Sequence, residues 1–425
     1  MRPSRLARKS PPGTMQIPPL NPPTARSRQF RRPALFRIDN PKPPADTAVV
    51  NRRILLLSSE HTGHGHKSIA QSLTSYLTEL DATVDVRTAN AFDFFPIVGT
   101  AVEKFYIPLI THAPSAWGLF FALSHRFPRV LNWLSKQSME SRFIALVREY
   151  RPDLIVSVHP GFVGCALDLL EKNRLQVPFV SLIADLVTFS SLWVDKRSFR
   201  TISPTTEATR KLIEMGIAPE AAPELGFPIR RRFETPPAVF EQRLARRQAG
   251  APLGILVFAN AFPKTRTRRL VATLLGVAGS RVTVITGRDE RLKAALADAF
   301  ADQLGSRVVL PGYVTDMERH MGENDLLITR AGPNTLLESV SCGLPIIITG
   351  HVPGQEEGNP GWIESRGLGI ICREIPALPG AIAGLLADDS RRWFDIAERQ
   401  RQYAQRVAGR DTAAYLLGLL GRSGA

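Results

Sequence analysis

Two doubly wound α/β units, each a parallel sheet covered by helices, are what the sequence predicts, and three observations predict it. Apolar runs of strand length alternate with amphipathic helical stretches along most of the 425 residues, the pattern of strands joined by helical crossovers. After Ser58 and again after Thr329 a strand runs into a glycine-containing turn and then a helix, which presents helix-terminal N–H groups at the carboxyl edge of a sheet. The length exceeds one ordinary domain, and 44% hydrophobic with 8% aromatic residues suffices for packed cores. No repeat of solenoid period is present.

Composition narrows the classes. Cys165, Cys342 and Cys372 lie far apart and form no CxxC or Cys/His cluster, which suits buried thiols in a reducing compartment. No run of 18 apolar residues predicts a membrane span, and the basic start is followed by prolines where a signal peptide would carry an apolar segment. The formal charge of +15 calls for an anionic partner: nucleic acid, anionic lipid or a phosphorylated substrate. Helix-turn-helix, zinc-finger and aromatic RNA-recognition patterns are missing, so no nucleic acid is expected. Residues 1–48 hold 11 prolines and 10 Lys or Arg against 2 acids, the composition of a disordered basic tail.

In chain order, Val49 to Ser58 reads as a central strand and a helix begins near His66. The loop between them, Ser59 to His66, fails as a Walker A loop because His66 stands where glycine must precede Lys67. A dinucleotide fingerprint would need glycine or alanine at Ser68, with Asp85 as its acid. His61, His64 and His66 lack a partner carboxylate or cysteine, so no metal is expected. Residues 91–134 are rich in Phe, Tyr and Trp; Tyr106 to Phe121 suits either core or a surface dipping into a lipid interface. Helix follows at Ser141 to Glu149, strand at Pro152 to Val158, helix at Gly164 to Leu170 and strand at Val177 to Ile183. His159 and Asp185 therefore stand at carboxyl ends of strands, where a cleft-facing role is natural. Arg200 to Pro204 is strand or turn, Thr205 to Met215 a helix stopped by Gly216, and 234–250 a polar connection.

The second unit opens with the strand Gly254 to Ala259, then strand Arg281 to Thr286 and helix Glu290 to Phe300. Val308 to Leu310 is a strand, Met317 to Gly322 a helix and Leu326 to Thr329 a strand. Arg330 to Pro333 turns, Asn334 or Thr335 caps a helix to Cys342, and Leu344 to Thr349 returns to the sheet. Gly350 to Gly361 is a polar loop carrying Gln355, Glu356, Glu357 and Asn359. A helix around Gly380 to Leu386 and a basic amphipathic tail, Arg391 to Leu419, close the sequence.

The stretch AGPNTLLESVSCGLPIIITGHVPGQEEGN, 331–359, resembles the nucleotide-sugar-binding half of the family of monogalactosyldiacylglycerol synthases and bacterial processive diacylglycerol glucosyltransferases. That family is itself similar to the enzyme that adds N-acetylglucosamine to lipid-linked muramyl peptide. The resemblance implies a GT-B fold: a tail of 1–48, an acceptor-side Rossmann-like domain of 49–233, a linker of 234–250, a donor-side domain of 251–390 and helices in 391–425 that return across the interface. It implies Glu338 on ribose hydroxyls, Gln355, Glu356 and Asn359 reading the sugar, and Gly332, Asn334 and Thr335 near the diphosphate. Gly63, Gly65, His66 and Lys67 match the family's glycine-rich loop, with His66 in the cleft. Three departures stand out: Ser190 where the family has His, Asp289 where Asn is more usual, and Ala259 to Phe262 in place of a glycine-rich loop. Without glycine the backbone cannot approach as closely, and Lys264, Arg266, Arg268 and Arg269 then either replace backbone donors to phosphate, with Lys264 and Arg266 the first candidates, or form a plain basic surface.

The activity implied is inverting transfer of a hexose from a UDP-sugar to diacylglycerol or a related lipid hydroxyl, needing no cofactor. His66 and Asp185 are the catalytic candidates: a histidine of pKa about 6.5 accepts a proton near neutrality, and an aspartate near 3.9 is a weaker base suited to orienting His66 or attracting positive charge, so the base is not assigned uniquely. Anionic membrane is the expected surface, with the protein cytoplasmic and peripherally attached. The alternatives are a different lipid or isoprenoid acceptor, and an inactive relative that binds lipid or nucleotide sugar. No oligomeric state is implied.

Overall fold

The computed structural model describes residues 52–60, 65–95, 113–234, 237–259, 262–404 and 409–422. The tail 1–48, His61, Gly63 and His64, the stretch from Tyr106 to 112, and Asn260 and Ala261 lie outside the described residues.

The first sheet holds β1 (Arg53–Ser58), β2 (Asp85–Asn90), β3 (Leu154–Ser157), β4 (Phe179–Leu182) and β5 (Arg200–Ile202), all parallel, in the order β2-β1-β3-β4-β5. The second holds β6 (Leu253–Phe258), β7 (Ser280–Ile285), β8 (Val308–Val309), β9 (Leu326–Thr329), β10 (Ile346–Ile348) and β11 (Gly369–Ile371), also parallel, in the order β11-β10-β9-β6-β7-β8. Leu56 pairs with both Thr88 and Val156, and Ile347 with both Ile328 and Ile370, so these strands are central. Both faces of such strands are covered, which is why β1, β9 and β10 read as unbroken apolar runs and not as alternations.

The order reverses between β1 and β3 in one sheet and between β6 and β9 in the other. At such switch points the loops leave a crevice beyond the strand ends. His66 and His159 flank the first; Ala259 and Arg330 flank the second.

Among the described residues four α-helices precede β5: α1 (Gly65–Leu80), α2 (Pro114–Arg126), α3 (Pro128–Tyr150) and α4 (Val163–Lys172). α5 (Thr206–Glu214) follows, capped by Thr205, whose hydroxyl accepts from the Ala208 N–H. In the second lobe come α6 (Pro237–Gln248), α7 (Lys264–Leu275), α8 (Glu290–Ala299), α9 (Met317–Glu323), α10 (Pro333–Ser341), α11 (Asn359–Ser365) and α12 (Leu378–Ala404), the last broken at Ala387 to Ser390. The tail expected from Arg391 to Leu419 is thus divided between α12 and α13 (Gly409–Arg422).

One apolar cluster runs from Ile54 to Leu57, Leu73, Phe143 and Val156 through Leu336, Leu337 and Val340 of α10, and takes in Ala413 and Leu416 of α13. A second fills the outer side of the second sheet, with Ile255, Val271, Val282, Ile347 and Ile382. α13 lies on α1: a Cβ at Gly409 would stand 2.9 Å from Ser72 Oγ, and Arg410 pairs with Glu79 at 3.1 Å.

Some element expectations are corrected. The helix expected at Ser141 to Glu149 begins at Pro128, since proline suits a first turn whose N–H groups have no partner anyway. α10 is capped by Gly332 with Pro333 at its first position, which puts Asn334 and Thr335 inside the first turn. The loop expected as far as Gly361 ends at Gly358, where α11 starts with Pro360 in its first turn. Asp85 opens β2 at the amino edge of the sheet, opposite the glycine loop, which removes the dinucleotide reading.

Candidate active site

The first switch point brings two histidines together. His66, on the first turn of α1, donates from Nδ1 to the Val158 carbonyl at 2.6 Å, which fixes the neutral tautomer with its lone pair on Nε2. Val158, and not Asp185, orients this ring. His159 does the reverse: its Nδ1 accepts from the Gly161 N–H at 3.1 Å, leaving the proton on Nε2. The rings meet edge to face at 4.6 Å. Burial lowers the His66 pKa to about 4 despite the Val158 bond, and that of His159 falls well below 6.5 for the same reason, helped by the neighbouring His66. His66 is therefore neutral at pH 7 and a weaker base than its residue type suggests.

Asp185 moves the other way. It is 5% exposed; Oδ2 accepts from Trp193 Nε1 at 2.9 Å and Oδ1 from Gln355 Nε2 at 3.2 Å. Desolvation outweighs both hydrogen bonds and lifts the pKa to about 6, and the nearby Glu356 adds to the rise. The Gln355 bond crosses from the first lobe to the loop after β10, so Asp185 belongs to both halves of the site. Ser190 caps the 3₁₀ turn that carries Trp193 and lies 3.1 Å from Ser124 of α2. The position that the resemblance assigns to histidine is thus occupied by a small capping hydroxyl.

In the second lobe the buried carboxylates that the resemblance matches to the donor are all engaged. Glu338 on α10 takes Arg230 Nη2 at 2.7 Å and Nε at 3.2 Å, with Ser68 Oγ at 3.5 Å. Burial raises its pKa against the pull of Arg230. Glu356 accepts the Val352 N–H at 2.7 Å and pairs with Arg330 Nε at 3.3 Å. Asn359 donates to the Ala331 carbonyl at 2.9 Å. Its Oδ1, and that of Asn334, are buried with no hydrogen-bond partner among the described residues. Buried polar atoms of that kind are uncommon and fit a polar ligand at the second switch point. Glu357 turns outward to His351 at 3.2 Å, as a spectator would.

The phosphate-side residues divide. A Cβ at Gly65 would stand 2.7 Å from Asn334 Nδ2, so a larger residue here would push the Asn334 amide aside. Lys67 lies 3.7 Å from Glu60. Lys264 pairs with Asp289 at 3.1 Å, and Asp289 also caps α8 through the Leu292 N–H, a role asparagine could fill equally. Arg266 donates to the carbonyls of Thr349 at 2.8 Å and Arg373 at 3.3 Å, while its Nε is buried without a partner among the described residues. Arg266 thus braces the loops after β10 and β11. Ala259 and Phe262 are core residues.

Sequence reasoning passed over Arg330 as a site residue, although its place at the carboxyl end of a central strand was a usable signal. Arg230, one of three adjacent arginines after a segment that resembles the family's hinge between domains, reads from the sequence as part of an anion-attracting face; its pairing with Glu338, 108 residues away, is not legible there.

Two parallel-sheet lobes with loops meeting across a cleft at their switch points make this a GT-B-type protein. A family model described as monogalactosyldiacylglycerol (MGDG) synthase matches residues 66–229, and one described as glycosyl transferases group 1 matches 246–388. Across both lobes the chain is similar to monogalactosyldiacylglycerol synthases and processive diacylglycerol glucosyltransferases. It is 28% identical over 364 residues to monogalactosyldiacylglycerol synthase 1, chloroplastic, of Arabidopsis thaliana, covering 82% of this chain and 66% of that protein. To the processive diacylglycerol beta-glucosyltransferase of Staphylococcus aureus it is 25% identical, covering 88% of this chain and 94% of that one. The chain spans 63% to 66% of the length of the first plant synthases it matches. Among solved structures, Acinetobacter baumannii MurG is similar over 87% of this chain and 99% of its own, with a TM-score of 0.55 and 14% identity. Anabaena HepE in complex with UDP-glucose is similar over 87% of this chain and all of its own, with a TM-score of 0.51 and 16% identity.

Proposed function

We propose that the protein is an inverting glycosyltransferase that moves a hexose from a UDP-sugar to the hydroxyl of diacylglycerol or a related lipid. The observation that carries this reading is the hydrogen bond from Gln355 to Asp185, which ties an acceptor-side carboxylate of pKa about 6 to the loop matching the family's sugar-reading segment. In the reaction the acceptor oxygen attacks the anomeric carbon, the bond to the diphosphate breaks with its electron pair, and the hydroxyl proton passes to a base. Asp185 is better matched to that task than His66, and each of its oxygens keeps a second lone pair. His66, neutral and beside His159, then lines the acceptor side of the site. Gly332, Asn334 and Thr335 at the start of α10, with Lys264 and Arg266, meet the diphosphate. Glu338 exchanges Arg230 or Ser68 for ribose hydroxyls, and Glu356 and Asn359 read the sugar.

The acceptor enters from a membrane surface. Leu119, Leu123, Phe127 and Trp133, on or beside α2 and α3, are 47% to 63% exposed, and the net charge of +15 favours anionic lipid. No described helix is long and apolar enough to cross a membrane, so attachment is peripheral, on the cytoplasmic face under this reading.

A second reading, a binding protein without turnover, is favoured by Ala259 and Phe262, whose burial in the core replaces a glycine-rich approach to phosphate. UDP release measured over a panel of UDP-hexoses, in anionic liposomes containing diacylglycerol and with the lipids analysed by mass, separates the two. Turnover that needs donor and lipid, and is lost in Asp185→Asn, establishes the transferase. Donor binding with no glycolipid on diacylglycerol or polyprenol acceptors establishes the binder.

A further inference from the structure

From Gln355 to Arg366 the chain behaves as a strap with two faces. Gln355, Gly358, Trp362 and Arg366, spaced three, four and four residues apart, all bond to the first lobe: Gln355 to Asp185 at 3.2 Å, the Gly358 N–H to Thr188 Oγ1 at 3.1 Å, Trp362 Nε1 to Glu207 Oε2 at 3.1 Å, and Arg366 Nη2 to Glu207 Oε1 at 2.6 Å. Glu356 and Asn359 face the other way, to Arg330 and to the Ala331 carbonyl. Glu207 takes two of the four cross-lobe bonds with its two oxygens. Its partners are preassembled: the Arg366 guanidinium stacks 4.5 Å above the Trp362 ring, and Tyr403 meets that ring edge-on at 5.5 Å. Trp362 is 4% exposed, so its N–H would be left unsatisfied without Glu207.

We propose that Glu207 is a positioning residue: through Trp362 and Arg366 it latches α11 to the first lobe, holds the cleft closed and sets Asn359 against the donor. It touches neither substrate. The consequence for donor affinity rests on the transferase reading above; the latch does not. Lobe closure and donor reading are then one event, because the strap that grips the first lobe also carries the groups matched to the sugar. Opening the cleft to release the nucleotide requires these bonds to break.

The test uses the full chain with spin labels on two exposed positions, Glu220→Cys in the first lobe and Arg281→Cys in the second, and dipolar spectroscopy to read the lobe separation without donor. Glu207→Ala and Trp362→Phe, each checked for an unchanged circular dichroism spectrum, are both expected to shift the separation to longer distances. In UDP-hexose turnover each raises the donor KM about tenfold with kcat within about twofold and the acceptor KM unchanged. Glu207→Gln, which keeps an acceptor for Trp362 but loses the charge facing Arg366, falls between. The double variant is no worse than Glu207→Ala alone, because the two residues act as one contact. An unaltered separation in both single variants overturns the latch, as does a fall in kcat at constant donor KM. If the wild type turns over no UDP-hexose while Glu207→Ala still opens the cleft, the latch stands and the transferase reading fails.

Discussion

Asp185 and His66 are pushed in opposite directions by the same cause, removal from water, because burial penalises the charged form of each. The folded state holds the Asp185 proton more tightly than the unfolded chain, so this group's contribution to stability is full below about 4 and is lost as pH rises through about 6. His66 is held neutral, so its contribution is full above 6.5 and is lost as pH falls through about 4; His159 acts in the same sense. Two histidines against one carboxylate make these groups together favour stability as pH rises over this range. Asp185→Asn should steepen that rise and His66→Gln flatten it, read as the slope of Tm against pH. In turnover, kcat/KM should climb with pH through about 6 as Asp185 ionises. Asp185→Asn should abolish that limb and lower the rate about a hundredfold or more, the range of general base catalysis.

Elements are fixed by contacts that skip the local sequence. Arg243 of α6 is fully buried and donates to four carbonyls: Asn324 at 3.0 Å, Met321 at 2.6 Å, Cys342 at 2.5 Å and Gly343 at 2.7 Å. These carbonyls end α9 and α10, where the helix dipole favours a cation. Burial brings the guanidinium down only to about 10, so it stays charged at neutral pH. Arg243→Leu leaves these carbonyls buried without a donor and should cost on the order of 3 kcal/mol or more, measured by denaturant unfolding. The loop after β10 has its own constraint at Gly354, where φ is +79° and a Cβ would stand 2.7 Å from Phe121 Cδ1 of α2. Gly354→Ala carries a backbone cost of about 1–2 kcal/mol and should raise the donor KM. Pairing it with Phe121→Ala relieves the clash and leaves the φ cost, so recovery should be partial.

For the whole molecule, charge and exposed apolar surface make a joint prediction. Vesicle binding should require anionic lipid and weaken when salt rises from about 0.05 to 0.5 M, since charges beyond about a Debye length are then screened. Leu119→Ser with Leu123→Ser should weaken it further at every salt concentration; both are read by vesicle co-sedimentation. Much of the architecture was legible in residues. Apolar strands such as β1, β9 and β10 were visible because burial on both faces demands unbroken hydrophobic runs, and α5 because Thr205 and Gly216 mark its ends. β2 was not, since as an edge strand, Asp85–Asn90, it buries little and carries no such run. The start of α11 was hidden inside a polar stretch that looked like loop.

By itself the sequence determined the parallel α/β pattern, the two units, and the polar residues from 331 to 359, because periodicity and turn chemistry are local properties of the chain. Only the tertiary structure decided what those residues do to one another. It turned Asp185 toward Gln355 and His66 toward Val158, matched Arg230 to Glu338 and Glu207 to Trp362 and Arg366, and set Arg266 on two carbonyls while leaving its Nε without a partner among the described residues. Each of these pairings joins residues far apart in the chain, and the shifts of Asp185 and His66 come from burial, which only packing produces. Neither sequence spacing nor composition encodes which groups meet in a dry cleft; packing does.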